Sequence, residues 1–409
     1  MEKMNCPPDF RCPISMEIMK DPVTIVTGVS YERKNIEKWF FVYNKKTCPT
    51  TMQCVESFDM TPNHTLKRLI LAWKETLVAP SSTSSSMPQP LIKHDEMVSL
   101  FTALESSPFK VSSMKKIRAI VELGDETKSD FIRSGGVEAV VGMLINQFDN
   151  PDFVSFQACE EALGILHLLP LSKQDEKSFQ LISQPDPMRS IAIILQRGSA
   201  EARFYAITIF RKIGKTGFNW NPLIKDQGID LFKSLLELVY DGICNKASSY
   251  ALEILFEILS SSKKSRLKAI EAGAICILIE LLPDSNRSKS EKMLLLIKLL
   301  CESPEGRMAM VDHSLGIPVI SKTLLQVSNL ATKLGVKILW QVCNFHPTER
   351  VLEEMLMHGA VKKMVTLLHL EGRLSSTKKK VLEMLKKHCN SWKRHQCFPC
   401  DLKDYLGVK

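Results

Sequence analysis

Phe10-Arg11-Cys12-Pro13-Ile14-Ser15-Met16-Glu17-Ile18-Met19-Lys20-Asp21-Pro22-Val23 is the stretch on which the reading of this chain turns. Gly28-Val29-Ser30-Tyr31-Glu32-Arg33, Ile36-Glu37-Lys38-Trp39 and Thr47-Cys48-Pro49 follow it. Thr61-Pro62-Asn63-His64-Thr65-Leu66-Lys67-Arg68-Leu69-Ile70 closes it. Val23 to Val26 is short and β-branched, which predicts a small hairpin strand. Ser30 suits the N-cap of a helix with Ile36, Trp39 and Phe40 on one face. A second helix is expected with Thr61 as its cap and Pro62 at its first position, where the missing N–H is harmless. Leu66, Leu69, Ile70 and Trp73 would form its apolar face.

The cysteines and histidines of residues 1–79 are Cys6, Cys12, Cys48, Cys54 and His64. A pair of interleaved four-coordinate zinc sites needs more ligands than that, and no Cys-x-x-Cys pair is present. Metal is therefore not expected, and the loops must be held by hydrogen bonds, ion pairs and packing. Candidates are Glu17, Asp21, Arg33, Glu37 and Asn63, with Tyr31 packing centrally.

These motifs, in this order and spacing, resemble the U-box family, the metal-free relative of the RING finger. The resemblance implies a small α+β domain over residues 5–79 that docks a ubiquitin-charged conjugating enzyme. It assigns docking to Ile14, Met16, Trp39, Pro49 and Met52, and structural roles to Glu17, Asp21, Pro22, Tyr31, Arg33 and Asn63. The docking side chains are expected to be exposed and grouped as a small interface. Many family members carry a basic residue where this chain has Met52, so activation rather than docking is the property that position touches. No catalytic nucleophile is implied: Cys12 and Cys48 have no nearby histidine and no evident thiolate-stabilising setting. Ile14→Ala and Trp39→Ala are expected to abolish self-ubiquitination and leave the fold intact.

The remaining sequence changes character. Pro80-Ser81-Ser82-Thr83-Ser84-Ser85-Ser86-Met87-Pro88-Gln89-Pro90 has no charge and little to bury, so residues 80–90 are expected to be a flexible linker. From 91 to 390 the apolar period is helical, as in Leu252-Leu255-Phe256-Leu259 and Leu334-Ile338-Leu339-Val342. A glycine precedes an apolar run at Gly136, Gly228, Gly273, Gly316 and Gly359, and the last four are spaced 45, 43 and 43 residues apart. The first gap, 92 residues, holds a degenerate unit near Pro187 to Ile191. A period of about 40–47 residues with two or three helices per unit is the armadillo signature. About six or seven units would share one core. The glycines are expected at sharp turns between helices.

Together the two halves resemble the plant U-box/armadillo ubiquitin ligases. The fold class expected is mostly α: a metal-free RING-like domain followed by an all-α armadillo superhelix. The implied partners are a conjugating enzyme, ubiquitin and a protein substrate held by the array; a homodimer is allowed, and no cofactor is implied. The resemblance also implies a role in stress or immune signalling. A scaffold with a degenerate U-box is the alternative function. A nuclear-import receptor would need repeated Trp-x-x-x-Asn pairs, and Trp340-Gln341-Val342-Cys343-Asn344 stands alone in the array.

The net charge is +9, of which residues 378–409 carry +6 (9 basic, 3 acidic) and residues 1–79 carry +2 (11 basic, 9 acidic). The excess is thus local, not a basic face with interleaved aromatics, and nucleic acid is not expected as a partner. The twelve scattered cysteines suit a reducing compartment, so a cytoplasmic protein with access to the nucleus is expected. No apolar run approaches the roughly 20 residues that span a bilayer, and no signal peptide is read at Met1 to Asn5. Residues 391–409 read as a basic tail; its Cys397-Phe398-Pro399-Cys400, with Cys389 and His395, is a weak zinc signal.

Overall fold

The computed structural model describes residues 7–78, 98–102, 110–146, 153–170, 176–242, 244–369 and 375–395. The expected linker at 80–90 and the tail pair Cys397 and Cys400 lie outside them. The chain divides into two compact units, Met1–Leu223 with Asp241–Tyr250, and Ile224–Tyr240 with Ala251–Lys409.

The first unit opens with a three-stranded antiparallel sheet in the order β2-β1-β3. Its strands are β1 (Pro22–Ile25), β2 (Ser30–Glu32) and β3 (Met60–Pro62). Val23 on the central strand pairs with Tyr31 on one side and Pro62 on the other. Helix α1 (Arg33–Glu37) runs directly into a wider π turn, Lys38–Val42, and α2 (His64–Val78) follows β3. The core is Cys12, Ile14, Met19, Val23, Tyr31, Ile36, Phe40, Cys48 and Ile70 with their neighbours.

Both expected caps are displaced. Ser30 lies in β2, where its hydroxyl meets Thr24 Oγ1 at 2.8 Å, and the helix starts three residues later. Thr61 and Pro62 belong to β3, and Asn63 is the cap, its Oδ1 accepting from the Leu66 amide at 2.9 Å. The stronger capping residue wins over threonine. Ile70 is buried as expected, whereas Leu69 is 52% exposed.

The rest of the first unit contains helices Lys110–Glu122, Asp125–Arg133, Gly136–Asn146, Phe153–Leu168, Glu176–Ile182, Pro185–Arg197 and Ala200–Gly214. After the first of these they repeat as a short, a middle and a long helix. The long helices stack on one another: Lys110–Glu122 on Phe153–Leu168, and that on Ala200–Gly214. The degenerate unit expected near Pro187 falls on the middle helix Pro185–Arg197.

The second unit repeats the same triplet at Lys263–Glu271, Ala274–Leu281 and Arg287–Leu300, then at Pro304–Asp312, Gly316–Thr323 and Asn329–Phe345. Glu349–Met357, Ala360–His369 and Ser375–Lys393 make the next. Side-chain caps punctuate it, with Asn286, Ser303, Ser328 and Thr348 each accepting from a backbone amide three residues on.

Two glycines show why the period is visible. Gly273 turns the chain with φ +85°, a conformation that a side chain disfavours. Gly316 is needed for closeness: a Cβ there would stand 2.0 Å from the Met310 carbonyl oxygen. Gly228 departs from the expected turn, because it lies inside the continuous helix Asn221–Asp241. There the missing side chain admits Lys268, whose Nζ reaches the Ile224 carbonyl at 2.7 Å. Similar lysine clamps recur one unit apart. Lys212 Nζ donates to the carbonyls of His167 (3.2 Å) and Leu169 (3.0 Å), and Lys363 Nζ to those of Ser321 (2.9 Å) and Lys322 (3.1 Å). Each of these two places a cation on the unsatisfied carbonyls at a helix C-terminus.

Candidate functional site

The N-terminal domain carries the same loop twice. Cys12-Pro13-Ile14-Ser15-Met16 and Cys48-Pro49-Thr50-Thr51-Met52 have one geometry. The amide of Met16 donates to the Cys12 carbonyl at 2.7 Å and that of Met52 to the Cys48 carbonyl at 2.9 Å. The Cys12 amide donates to Glu17 and the Cys48 amide to Gln53, both at 2.8 Å. Bridges Arg11↔Ile18 and Thr47↔Cys54 close the two loops at matching positions. Met16 and Met52 both have positive φ, 57° and 58°. The signal was available as a repeated Cys-Pro-x-x-Met, and a search for metal pairs alone passes over it.

In each loop the cysteine is a buried hydrogen-bond centre. Cys12 Sγ accepts from the Glu32 amide at 3.3 Å and from Asn35 Nδ2 at 3.6 Å. Cys48 Sγ accepts from Thr27 Oγ1 at 3.3 Å and lies 3.0 Å from the Tyr31 hydroxyl. That hydroxyl also meets Thr50 Oγ1 at 2.9 Å and accepts from the Thr50 amide at 3.1 Å. Burial, with the neighbouring Cys48, holds the Tyr31 phenol well above its ordinary range. Burial alone would raise the Cys48 thiol, but hydrogen bonds from Thr27, Thr51 and Tyr31 outweigh it and leave the thiol below its usual value.

Ionic and polar ties hold the sheet side. Arg33 Nε pairs with Asp21 at 2.7 Å and Lys67 Nζ with the same carboxylate at 3.3 Å. The Arg33 hydrogen bond, followed by that of Lys67, holds Asp21 below the usual carboxylate range. Asn63 Nδ2 donates to Thr24 Oγ1 (3.2 Å) and Ser30 Oγ (3.1 Å). Pro22 opens the central strand, and its carbonyl accepts from the Asn63 amide at 2.9 Å. Glu17 is exposed and serves through its carbonyl. The carboxylate that organises this loop is Glu32, overlooked in the sequence, whose Oε2 accepts from the amides of Lys20 (2.7 Å) and Asp21 (3.0 Å).

Trp39 joins the helix to the second loop, its indole donating to the Thr47 carbonyl at 2.7 Å. The expectation of exposed docking side chains is not met for three of the five. Ile14 is 3% exposed, Trp39 9%, and Pro49 is buried; Met16 is half-buried and Met52 is 42% exposed. Trp39 sits in the π turn, which rotates Phe41 and Val42 outward instead. Among the described residues no group of three or more His, Cys, Asp or Glu could hold a metal ion, and no helix is long and apolar enough to cross a membrane.

The stacked long helices form a polar face. Arg118 ties three of them, donating to Glu161 Oε2 (3.2 Å), Glu201 Oε1 (3.0 Å) and the Tyr205 hydroxyl (2.8 Å). In the second unit, Trp340 Nε1 donates to Glu383 at 2.9 Å, Lys387 Nζ to Asn344 at 3.2 Å, and Lys380 Nζ lies 3.5 Å from the Trp340 ring centre. Trp340 and Asn344 are thus engaged between neighbouring helices.

Comparison with known proteins agrees with this architecture. A family model for the U-box domain matches residues 6–78, and one for the plant U-box protein ARM repeat region matches residues 96–405. The Arabidopsis thaliana E3 ubiquitin-protein ligase PUB23 is 34% identical over 97% of this chain and 96% of its own. The Arabidopsis ligase PUB22 is 32% identical over 98% and 99%. U-box domain-containing protein 25 of the same plant is 30% identical over 96% and 93%. With a U-box built on paired cysteine-centred loops and an armadillo array behind it, the chain belongs to the plant U-box/armadillo family of ubiquitin-protein ligases.

Proposed function

We propose that Ile14, Trp39 and Pro49, flanked by Met16 and Met52, form the face that docks the ubiquitin-charged conjugating enzyme, and that the long-helix face of the array recruits the substrate. The observation that supports this most directly is the pair of matched loops, each tied to the β2–helix segment: the first through Cys12 to Glu32 and Asn35, the second through Cys48 to Tyr31 and Thr47 to Trp39. A rigid two-loop platform positions a partner without supplying chemistry of its own.

The reaction is attack of a substrate lysine amine on the thioester that links ubiquitin to the conjugating enzyme. The C–S bond breaks as the C–N bond forms, and the thiol leaves on the conjugating enzyme. The ligase contributes proximity and a restrained thioester geometry. No covalent carrier on this chain is required. Cys48 has a lowered pKa, yet Cys12 and Cys48 are fully buried and their sulfurs are engaged in hydrogen bonds. The nine free cysteines of the described residues suit a cytoplasmic protein with access to the nucleus. By family likeness, we place its substrates in stress or immune signalling.

The test is a reconstituted reaction with activating enzyme, a panel of conjugating enzymes, ubiquitin and ATP. Ile14→Ala is expected to bind no conjugating enzyme and build no chains; because this side chain also packs in the domain core, its truncation costs about 2–5 kcal/mol of stability, and the fold of the variant is checked alongside. A folded Ile14→Ala protein with full activity would refute the docking face. Trp39→Ala is a poorer probe than the sequence suggested, because the indole also fastens the second loop; its loss costs about 3 kcal/mol of domain stability.

A further inference from the structure

The docking face is held by the protein's own array. The amide of Ala200, at the first position of helix Ala200–Gly214, has no acceptor within that helix, and it donates to the Pro49 carbonyl at 3.2 Å. On the first loop, the Ser15 carbonyl accepts from the Cys244 thiol at 3.4 Å, and both residues are buried. Between them, the Tyr43 hydroxyl donates to the Asp241 carbonyl. These contacts all lie within the first compact unit, and they bracket Ile14 and Pro49. Thr50, Thr51 and Gln53 roof a cavity of 320 Å³ whose floor includes Arg118, Glu161 and Tyr205. Beneath these loop residues lies open space rather than a packed core.

We propose that this arrangement is a closed state in which the N-terminal part of the array competes with the conjugating enzyme for the same face. The inference rests on the docking role assigned above to Ile14 and Pro49. Ile14 and Trp39 pack into the U-box's own core, and on the same loops the Ser15 and Pro49 carbonyls are already bonded to array donors. The enzyme gains access only in the fraction of molecules in which the U-box has left the array, and its apparent affinity is reduced by that fraction. Anything that takes the Ala200 amide or fills the cavity beneath Thr50 raises that fraction.

Ala200→Pro tests this in the full-length protein. Proline is well tolerated at a first helical position, and Ser199, at ψ 160°, already has the extended backbone that precedes proline. The substitution removes only the amide proton that holds Pro49. Tyr43→Phe removes a second tie from the U-box side. The readout is single-turnover discharge of ubiquitin from the charged conjugating enzyme to free lysine, together with amide exchange over residues 47–54. Each variant is expected to discharge about fivefold faster than the parent, from the loss of one hydrogen bond, with faster exchange in the second loop. Adding Ile14→Ala to either is expected to abolish discharge. Parental or slower discharge in both variants, with Ile14→Ala inactive, would overturn the closed state and leave the docking face standing. An active Ile14→Ala protein would overturn the docking face, and the closed state with it.

Discussion

Replacing Tyr31 by phenylalanine isolates the bonds that stand where a RING finger has metal. The ring is fully buried and Phe keeps its packing, so only the hydroxyl is lost. That hydroxyl faces Cys48 Sγ at 3.0 Å and Thr50 Oγ1 at 2.9 Å, and it is the acceptor for the Thr50 amide at 3.1 Å. Losing a neutral hydrogen bond costs about 1 kcal/mol, and stranding a part-buried amide adds a similar amount. The second loop should thus open more easily by about 2 kcal/mol, roughly a 30-fold change in its opening equilibrium. A melting temperature of the whole chain would blur this over several cooperative units. Hydrogen exchange of peptides covering residues 47–54 reads it directly, with the helices of the second unit as an internal reference. Exchange within about threefold of the parent protein would refute the claim that Tyr31 is the pin of this loop.

Other expectations follow from single features. His167 is half-buried beside Tyr205 with ring centres 4.6 Å apart; desolvation first, then the charges of Lys212 and Arg118, push its pKa down to about 3. The folded pKa lies below the unfolded one, so its contribution is whole above about pH 6.5 and drains as pH falls toward 3, by up to about 4 kcal/mol. His167→Gln should flatten the acid limb of stability measured by denaturant titration between those pH values, and an unchanged limb would count against it. Gly316→Ala drives a methyl group to within 2.0 Å of the Met310 carbonyl and should destabilise the second unit by about 1–3 kcal/mol, seen as faster exchange of helix Gly316–Thr323. Met52 is 42% exposed where the family often carries a cation, and Met52→Arg should raise ubiquitin discharge about threefold. Equal discharge by the two proteins would remove Met52 from the activating surface.

The array was legible because its constraints are periodic. Gly273, Gly316 and Gly359 recur at unit length, and each precedes an apolar helix that the structure contains. Gly228 misled because glycine answers two needs, a turn or a close approach, and residue identity does not distinguish them. Only the position of Lys268, forty residues on, shows which applies. The caps failed for a related reason. Ser30 and Thr61 are good local caps, but strand pairing with Thr24 claims both residues and moves the helix starts downstream. Counting ligands rightly directed attention to polar ties in the U-box. It could not identify Glu32, whose role depends on folding back onto two amides eleven and twelve residues earlier. The bonds that the Ser15 and Pro49 carbonyls accept from Cys244 and Ala200 were invisible because no local pattern encodes so distant a contact.

The lysine clamps have a consequence for a protein that delivers ubiquitin to amines. Lys212, Lys268 and Lys363 are themselves amines of the kind that chemistry modifies, yet each keeps its Nζ against backbone carbonyls of another helix. Joining ubiquitin to one of them would exchange a three-donor cation for a bulky neutral amide and pull two helices apart. Such marking is therefore disfavoured at these three lysines. The amines that fasten one helix to the next are the ones that the array keeps occupied.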